Sequence, residues 1–255
     1  MEAGLFDTHF HIIDFRFPVQ ENQGFMPPSF PVDAYQERTR DLGITGGCVV
    51  SGSFQGFDTA CMLDALARFG PTFVGVIQIP ASVSDEEIRR LDAAGVRGVR
   101  FNLVRGGSAS IEDLDRLARR VYGLAGWHAE LYADARDLEP IEATLAALPA
   151  VSIAHLGLSR AGFPTLLRLA EKGMKVKTTG FGRVVDLDVP SALRDLAKAN
   201  PDCLMFGTDL PSQRAKRPFL PSDIDLIRET LDRSLWNKVF RENALAFYQP
   251  RSVAS

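Results

Sequence analysis

The chain has 255 residues, 45% of them hydrophobic and 24% charged, with 29 Lys and Arg against 32 Asp and Glu for a formal net charge of -3. That length suits one large core, and the composition reads as soluble and globular rather than disordered. The slight acidic balance speaks against a nucleic-acid partner, and no apolar run approaches the roughly 18 residues of a membrane span.

Met1 to Asp7 carries no basic segment followed by an apolar one, so no secretory signal is read there. Cys48, Cys61 and Cys203 are odd in number and far apart, which fits free buried thiols and a cytoplasmic location. From there the chain alternates short apolar runs with amphipathic segments. The predicted strands are Leu5–Phe10, Gly47–Gly52, Phe73–Ile79, Val96–Val104, His128–Ala133, Val151–His155, Lys175–Thr179 and Leu204–Gly207. Several are continuous in Val, Ile, Leu or Phe, as strands buried on both faces are. The predicted helices are Pro31–Asp41, Asp58–Phe69, Ser84–Ala94, Ser110–Ala125, Asp137–Ala147, Gly162–Lys172, Pro190–Ala199 and Pro221–Arg233, before a last segment, Leu235–Phe247. Ser84-Asp85-Glu86-Glu87 is a helix start, a capping hydroxyl followed by acids that favour the positive end of the helix dipole. Eight strand–helix units without a linker or repeat predict a single-domain (β/α)₈ TIM barrel over residues 1–255. Residues 12–31 are too long for a simple turn and carry Phe15, Phe17, Phe25 and Phe30 among prolines, which predicts a lid over the barrel mouth. The bland alternative is an apolar flap without substrate contact. An apolar stripe on the last segment would support a homo-oligomer.

Barrel enzymes place their chemistry at the C-terminal strand ends. The first strand ends Asp7-Thr8-His9-Phe10-His11, and residues two apart share a face. His9 and His11 therefore point inward together, as a divalent metal or a polarised carbonyl requires, unless they are simply hydrogen-bonded core residues. His155 closes the sixth strand, and Asp209 follows the eighth in Gly207-Thr208-Asp209-Leu210-Pro211, where a carboxylate serves as a general base or as a turn cap. Arg100 and Asn102 share the inner face of the fourth strand. An arginine there needs a carboxylate partner, either within the protein or on a ligand, and Arg105 and Arg183 extend the cationic set. Ser53 near the end of the second strand and Tyr132 near the end of the fifth are hydrogen-bond donors. Glu130 and His128 share the Tyr132 face, with His128 toward the stability end of the barrel.

Asp-Thr-His-Phe-His on strand one, Ala-His-Leu-Gly on strand six and Phe-Gly-Thr-Asp-Leu-Pro on strand eight, in that order across nearly the whole chain, resemble the amidohydrolase superfamily and its amidohydrolase-2 group of lactone hydrolases and decarboxylases. Gly98-Val99-Arg100-Phe101-Asn102-Leu103-Val104, Glu130-Leu131-Tyr132 and Arg183 make the resemblance nearest to the 2-pyrone-4,6-dicarboxylate lactonases. The resemblance implies that Arg100, Arg105 and Arg183 hold substrate carboxylates, aided by Asn102, Ser53 and Tyr132. His9, His11 and His155 would surround the scissile carbonyl, and Asp209 would activate water. Binuclear members carry a bridging Lys or Glu on strand four and a ligand His on strand five. Arg100 and Tyr132 stand in those regions, so the expected chemistry requires no cofactor. The alternative is one divalent ion, Zn²⁺ or Mn²⁺, on His9, His11 and Asp209. The expected substrate is a small anionic lactone; the rival reading is a metal-dependent decarboxylase of a small carboxylic acid.

Overall fold

In the computed structural model, which describes residues 4–251, eight parallel strands pair in sequence order: β1 (Leu5–Phe10), β2 (Ile44–Val50), β3 (Phe73–Ile77), β4 (Val96–Asn102), β5 (His128–Tyr132), β6 (Val151–Ile153), β7 (Lys175–Thr178) and β8 (Leu204–Phe206). The ring closes just beyond β8, where Asp209 N–H donates to the His9 carbonyl (2.7 Å) and His11 N–H to the Leu210 carbonyl (2.8 Å). The expected TIM barrel is therefore present; residues 1–3 and 252–255 of the expected domain lie outside the described residues. Between the strands run α1 (Val32–Thr39), α2 (Ala60–Phe69), α3 (Asp85–Ala93), α4 (Leu114–Ala125), α5 (Glu142–Ala147), α6 (Phe163–Glu171) and α7 (Val189–Ala199), and β8 is followed by α8 (Ser222–Thr230) and α9 (Asn243–Tyr248). The Ser84 hydroxyl caps α3 by accepting Glu87 N–H at 3.1 Å. The expected helix over Asp137–Ala147 is α-helical only from Glu142, because Pro140 has no N–H to donate and the preceding turns are 3₁₀.

Two cores divide the apolar residues. Outside the barrel, Val49, Ile77, Val99, Phe101, Leu131, Ile153 and Val176 pack against the helices. Inside, at its N-terminal end, Phe6, Cys48, Val74, Val76 and Met205 meet Ala244 and Tyr248 of α9. Each aliphatic side chain so buried contributes about 1.5–3 kcal/mol. The apolar residues Ala244 and Tyr248 of the C-terminal segment thus plug the barrel bottom. His128 joins that plug, its ring 4.5 Å from Phe247 and 5.2 Å from Tyr248. Gly98 on the neighbouring strand leaves the room, since a Cβ there would strike the His128 ring.

β1 departs from regular alternation. Asp7 pairs with Gly47 and Phe10 with Val49, three steps along β1 against two along β2. This bulge lets Phe6 and His9 both face the barrel interior, while Asp7 and Phe10 face out to Tyr35 on α1.

Among the described residues, no helix is long and apolar enough to cross a membrane. Residues 12–31 contain neither helix nor strand; isolated bridges Ile13–Phe30 and Asn22–Phe25 fold the loop over the C-terminal mouth.

Candidate active site

The mouth opens into a cleft of about 450 Å³, solvent space at its entrance included, which all of the expected substrate-binding residues line. His11, His155 and Tyr132 also line it, while His9 and Asp209 lie deeper, each at most 1% exposed. β1 presents His9 and His11 with ring centroids 5.1 Å apart, and His155 stands 4.7 Å from His9 and 5.1 Å from Tyr132. The second strand stops at Val50, so Ser53 starts a short 3₁₀ turn rather than ending the strand. β6 likewise stops at Ile153, and His155 opens a 3₁₀ turn. His155 (φ 55°) and Asp209 (φ 61°) both adopt left-handed backbone, a strained state that concentrates at functional sites. Gly180 makes room beside His155, where an added Cβ would collide with the imidazole.

Asp7 fastens this corner. One carboxylate oxygen accepts Thr208 N–H (2.8 Å) and His9 N–H (3.1 Å), the other the Thr208 hydroxyl (2.6 Å) and the Tyr35 hydroxyl (3.1 Å). Burial nonetheless lifts its pKa to about 6 against those bonds. Sequence reasoning passed over Asp7 because it points away from the barrel interior.

Three cations and two carboxylates share the interior. Arg183 donates to both oxygens of Asp209, from Nε at 2.6 Å and Nη2 at 3.2 Å. Two residues expected to act separately are therefore paired. Burial still holds Asp209 above the ordinary carboxylate range, against the pull of Arg183 and Arg100. Arg100 donates to the Ser51 carbonyl, its Nε lies 3.7 Å from Glu130, and its guanidinium faces the Tyr132 ring at 5.4 Å. It is thus an internal ion-pair partner and a wall of the cleft at once. Glu130 also pairs with Lys177 of β7, a fully buried lysine that sequence reasoning missed. The signal was there: Val176 packs outward, so by alternation Lys177 faces the interior and needs a carboxylate.

Burial is the main reason the imidazoles are neutral at pH 7, reinforced by the cations: His11 is pushed down to about 3, and His9 and His155 lie well below 6.5. At the rim, Asn102 Oδ1 accepts Arg105 N–H (2.9 Å), and Arg105 reaches Gln23 of the 12–31 loop (3.1 Å). Arg214, also unforeseen because its loop has no periodicity, donates to Asn22 and stacks over Phe25 at 4.5 Å.

His9, His11 and Asp209 bring one ligand atom each within 4.8 Å of one another, the spacing an ion needs. The donor chemistry does not fit. Both Asp209 oxygens already accept from Arg183, which supplies the positive charge an ion would bring, so an ion would have to compete with that guanidinium.

The chain is 27% identical to a 2-pyrone-4,6-dicarboxylate hydrolase of Comamonas testosteroni, covering 99% of this chain and 92% of that one. It is 28% identical to a 4-sulfomuconolactone hydrolase of Hydrogenophaga intermedia, covering 91% and 83%. A crystal structure of a probable 2-pyrone-4,6-dicarboxylic acid hydrolase from Acinetobacter baumannii superposes with a TM-score of 0.81 at 22% identity, over 97% of this chain and all of that one, and shows the shared fold. The family model for amidohydrolases matches residues 6–249, from the first strand to the end of α9, and the chain therefore belongs to the amidohydrolase family.

Proposed function

We propose that the protein is a lactonase that opens a small carboxylated lactone by water attack, without a metal. The observation that carries this reading is the meeting of Asp209 and three buried, neutral imidazoles with a cleft lined by four arginines, Arg100, Arg105, Arg183 and Arg214. The relatives support it, one being named for a dicarboxylate and the other for a sulfo-substituted lactone.

In this mechanism a substrate carboxylate draws Arg183 off Asp209 and so uncovers the base. Asp209 takes a proton from water, whose oxygen bonds to the lactone carbonyl carbon. The resulting oxyanion accepts hydrogen bonds from an imidazole N–H and the Tyr132 hydroxyl, a type of contact worth about 3–4 kcal/mol per donor in well-studied sites. Collapse breaks the ring C–O bond, and Asp209 returns its proton to the leaving oxygen. The remaining arginines, with Asn102 and Ser53, orient the ring, the entropic part of the task.

The test is a pH-indicator hydrolysis screen over neutral, monocarboxylated and dicarboxylated lactones, with and without chelator. Turnover of carboxylated lactones that survives chelation is expected. Loss with chelator and recovery with Zn²⁺ or Mn²⁺ would overturn the metal-free reading. The rival decarboxylase needs an ion on His9, His11 and Asp209, and a stoichiometric divalent ion in protein purified without added metal would favour it.

A further inference from the structure

Beneath the cleft lie two fully buried charges that the reaction above does not use, Lys177 and Glu130. An ammonium has three hydrogens and no lone pair. Lys177 Nζ is surrounded by three acceptor atoms: it is ion-paired with Glu130 Oε2, donates to the Thr8 carbonyl at 2.7 Å, and lies 3.4 Å from His9 Nδ1. Leaving a buried charged donor unsatisfied is costly, so the third hydrogen goes to Nδ1. The His9 ring proton then sits on Nε2, which is buried and has no protein partner. Glu130 Oε1 is 3.6 Å from the same Nδ1, beyond hydrogen-bond reach. A proton on Nδ1 would also leave Lys177 one acceptor short.

His11 is set the other way. Its Nδ1 lies 2.7 Å from the Val50 carbonyl, which only accepts, so the proton is on Nδ1 and Nε2 keeps a bare lone pair.

We propose that Lys177 is a positioning residue that locks His9 as an Nε2–H donor, so that His9 and His11 present opposite polarities to the cleft. His9 then has no lone pair to offer an ion from either nitrogen, a second reason that the His9, His11 and Asp209 set is not a metal triad. If the lactonase reading holds, on which this role in turnover rests, His9 donates to the oxyanion and His11 accepts from the attacking water.

The experiment is long-range ¹H–¹⁵N correlation of the full chain with ¹⁵N-labelled histidine, at pH 7, chelated and without substrate. His9→Gln and His11→Gln assign the signals. The expected pattern is a bare Nδ1 and protonated Nε2 for His9, and the reverse for His11; the same tautomer at both would overturn the proposal. Lys177→Met combined with Glu130→Gln removes both buried charges together and should release the His9 tautomer. An unchanged His9 signal in that folded variant would show that Lys177 does not set it; if the variant does not fold, the wild-type pattern alone decides. Added Zn²⁺ should leave the His9 nitrogens unmoved, and a metal-bound shift at Nε2 would overturn the exclusion of His9 as a ligand. These spectra involve no turnover, so a correct pattern in a protein that opens no lactone would sink the lactonase reading alone.

Discussion

His128 and His155 are both buried imidazoles near strand ends of one barrel, but at opposite ends of it. Around His128 the neighbours are Phe247, Tyr248 and the space left by Gly98, and burial pushes its pKa down to about 3. Around His155 they are Asp209 at 3.8 Å, Tyr132 and His9, on strained backbone. The lower end spends its residues on packing. Both ends hold buried polar atoms without protein partners, but His128 Nε2 lies within the apolar plug, whereas His9 Nε2 and His155 Nδ1 lie at the end that opens into the cleft. Such atoms cost stability unless something else meets them, and only those beside the cleft can be met by a bound substrate, which is why the two ends should answer to mutation in different currencies.

The sharpest break should come from Asp209→Asn, with kcat expected to fall about 10³-fold, within the range for a lost general base, while the unfolding midpoint stays within a few degrees. Stopped-flow turnover and a thermal melt check both halves. The pH profile refines this. In the proposed mechanism ionised Asp209 is the active form, and its pKa is raised, so kcat should fall on acidification through a limb above the ordinary carboxylate range. No histidine limb should follow between pH 5 and 7, because the imidazoles are already neutral there.

At the other end, His128→Ala should lower stability by about 2–4 kcal/mol, as large-to-small core changes do, with kcat/KM of the folded protein unchanged. Denaturant titration beside an assay of the refolded protein would show it, and lost activity in a stable protein would erase the contrast. Arg100→Met should raise KM for carboxylated lactones about 10- to 100-fold, the equivalent of one charge-assisted bond, with Lys177 still neutralising Glu130. A neutral lactone should show no such change. The smallest effect is expected from Arg214→Ala, which removes the stacking on Phe25 worth about 0.5–1 kcal/mol. A few-fold rise in KM, read from initial rates, with a melting shift of no more than a few degrees, is expected.

Much of this arrangement was legible in the chain because strand alternation and chain order are local signals. They placed His9, His11, Arg100, Asn102 and Tyr132 on the inner face, and put His155 and Asp209 at the same mouth. What escaped depends on contacts between distant strands. The Arg183–Asp209 pair joins two loops whose residues were each read as facing the substrate. Lys177 sits in the short run Lys175-Val176-Lys177-Thr178, whose polar members resemble a strand edge until the barrel closes around them. Arg214 belongs to a loop shaped by left-handed backbone at Ser212 and Arg214, which leaves no period to read.

The bulge in β1 has a consequence for how this strand can change. Its lower half is in phase with the apolar plug and its upper half with the chemistry, and the extra residue between Asp7 and Phe10 joins the two phases. Continued strictly from Phe6, alternation would put Thr8 and Phe10 inside and turn both imidazoles out toward the helices. Loss of a single residue there would therefore act like a frameshift in space, retaining every side chain of the site while presenting the wrong face of the strand.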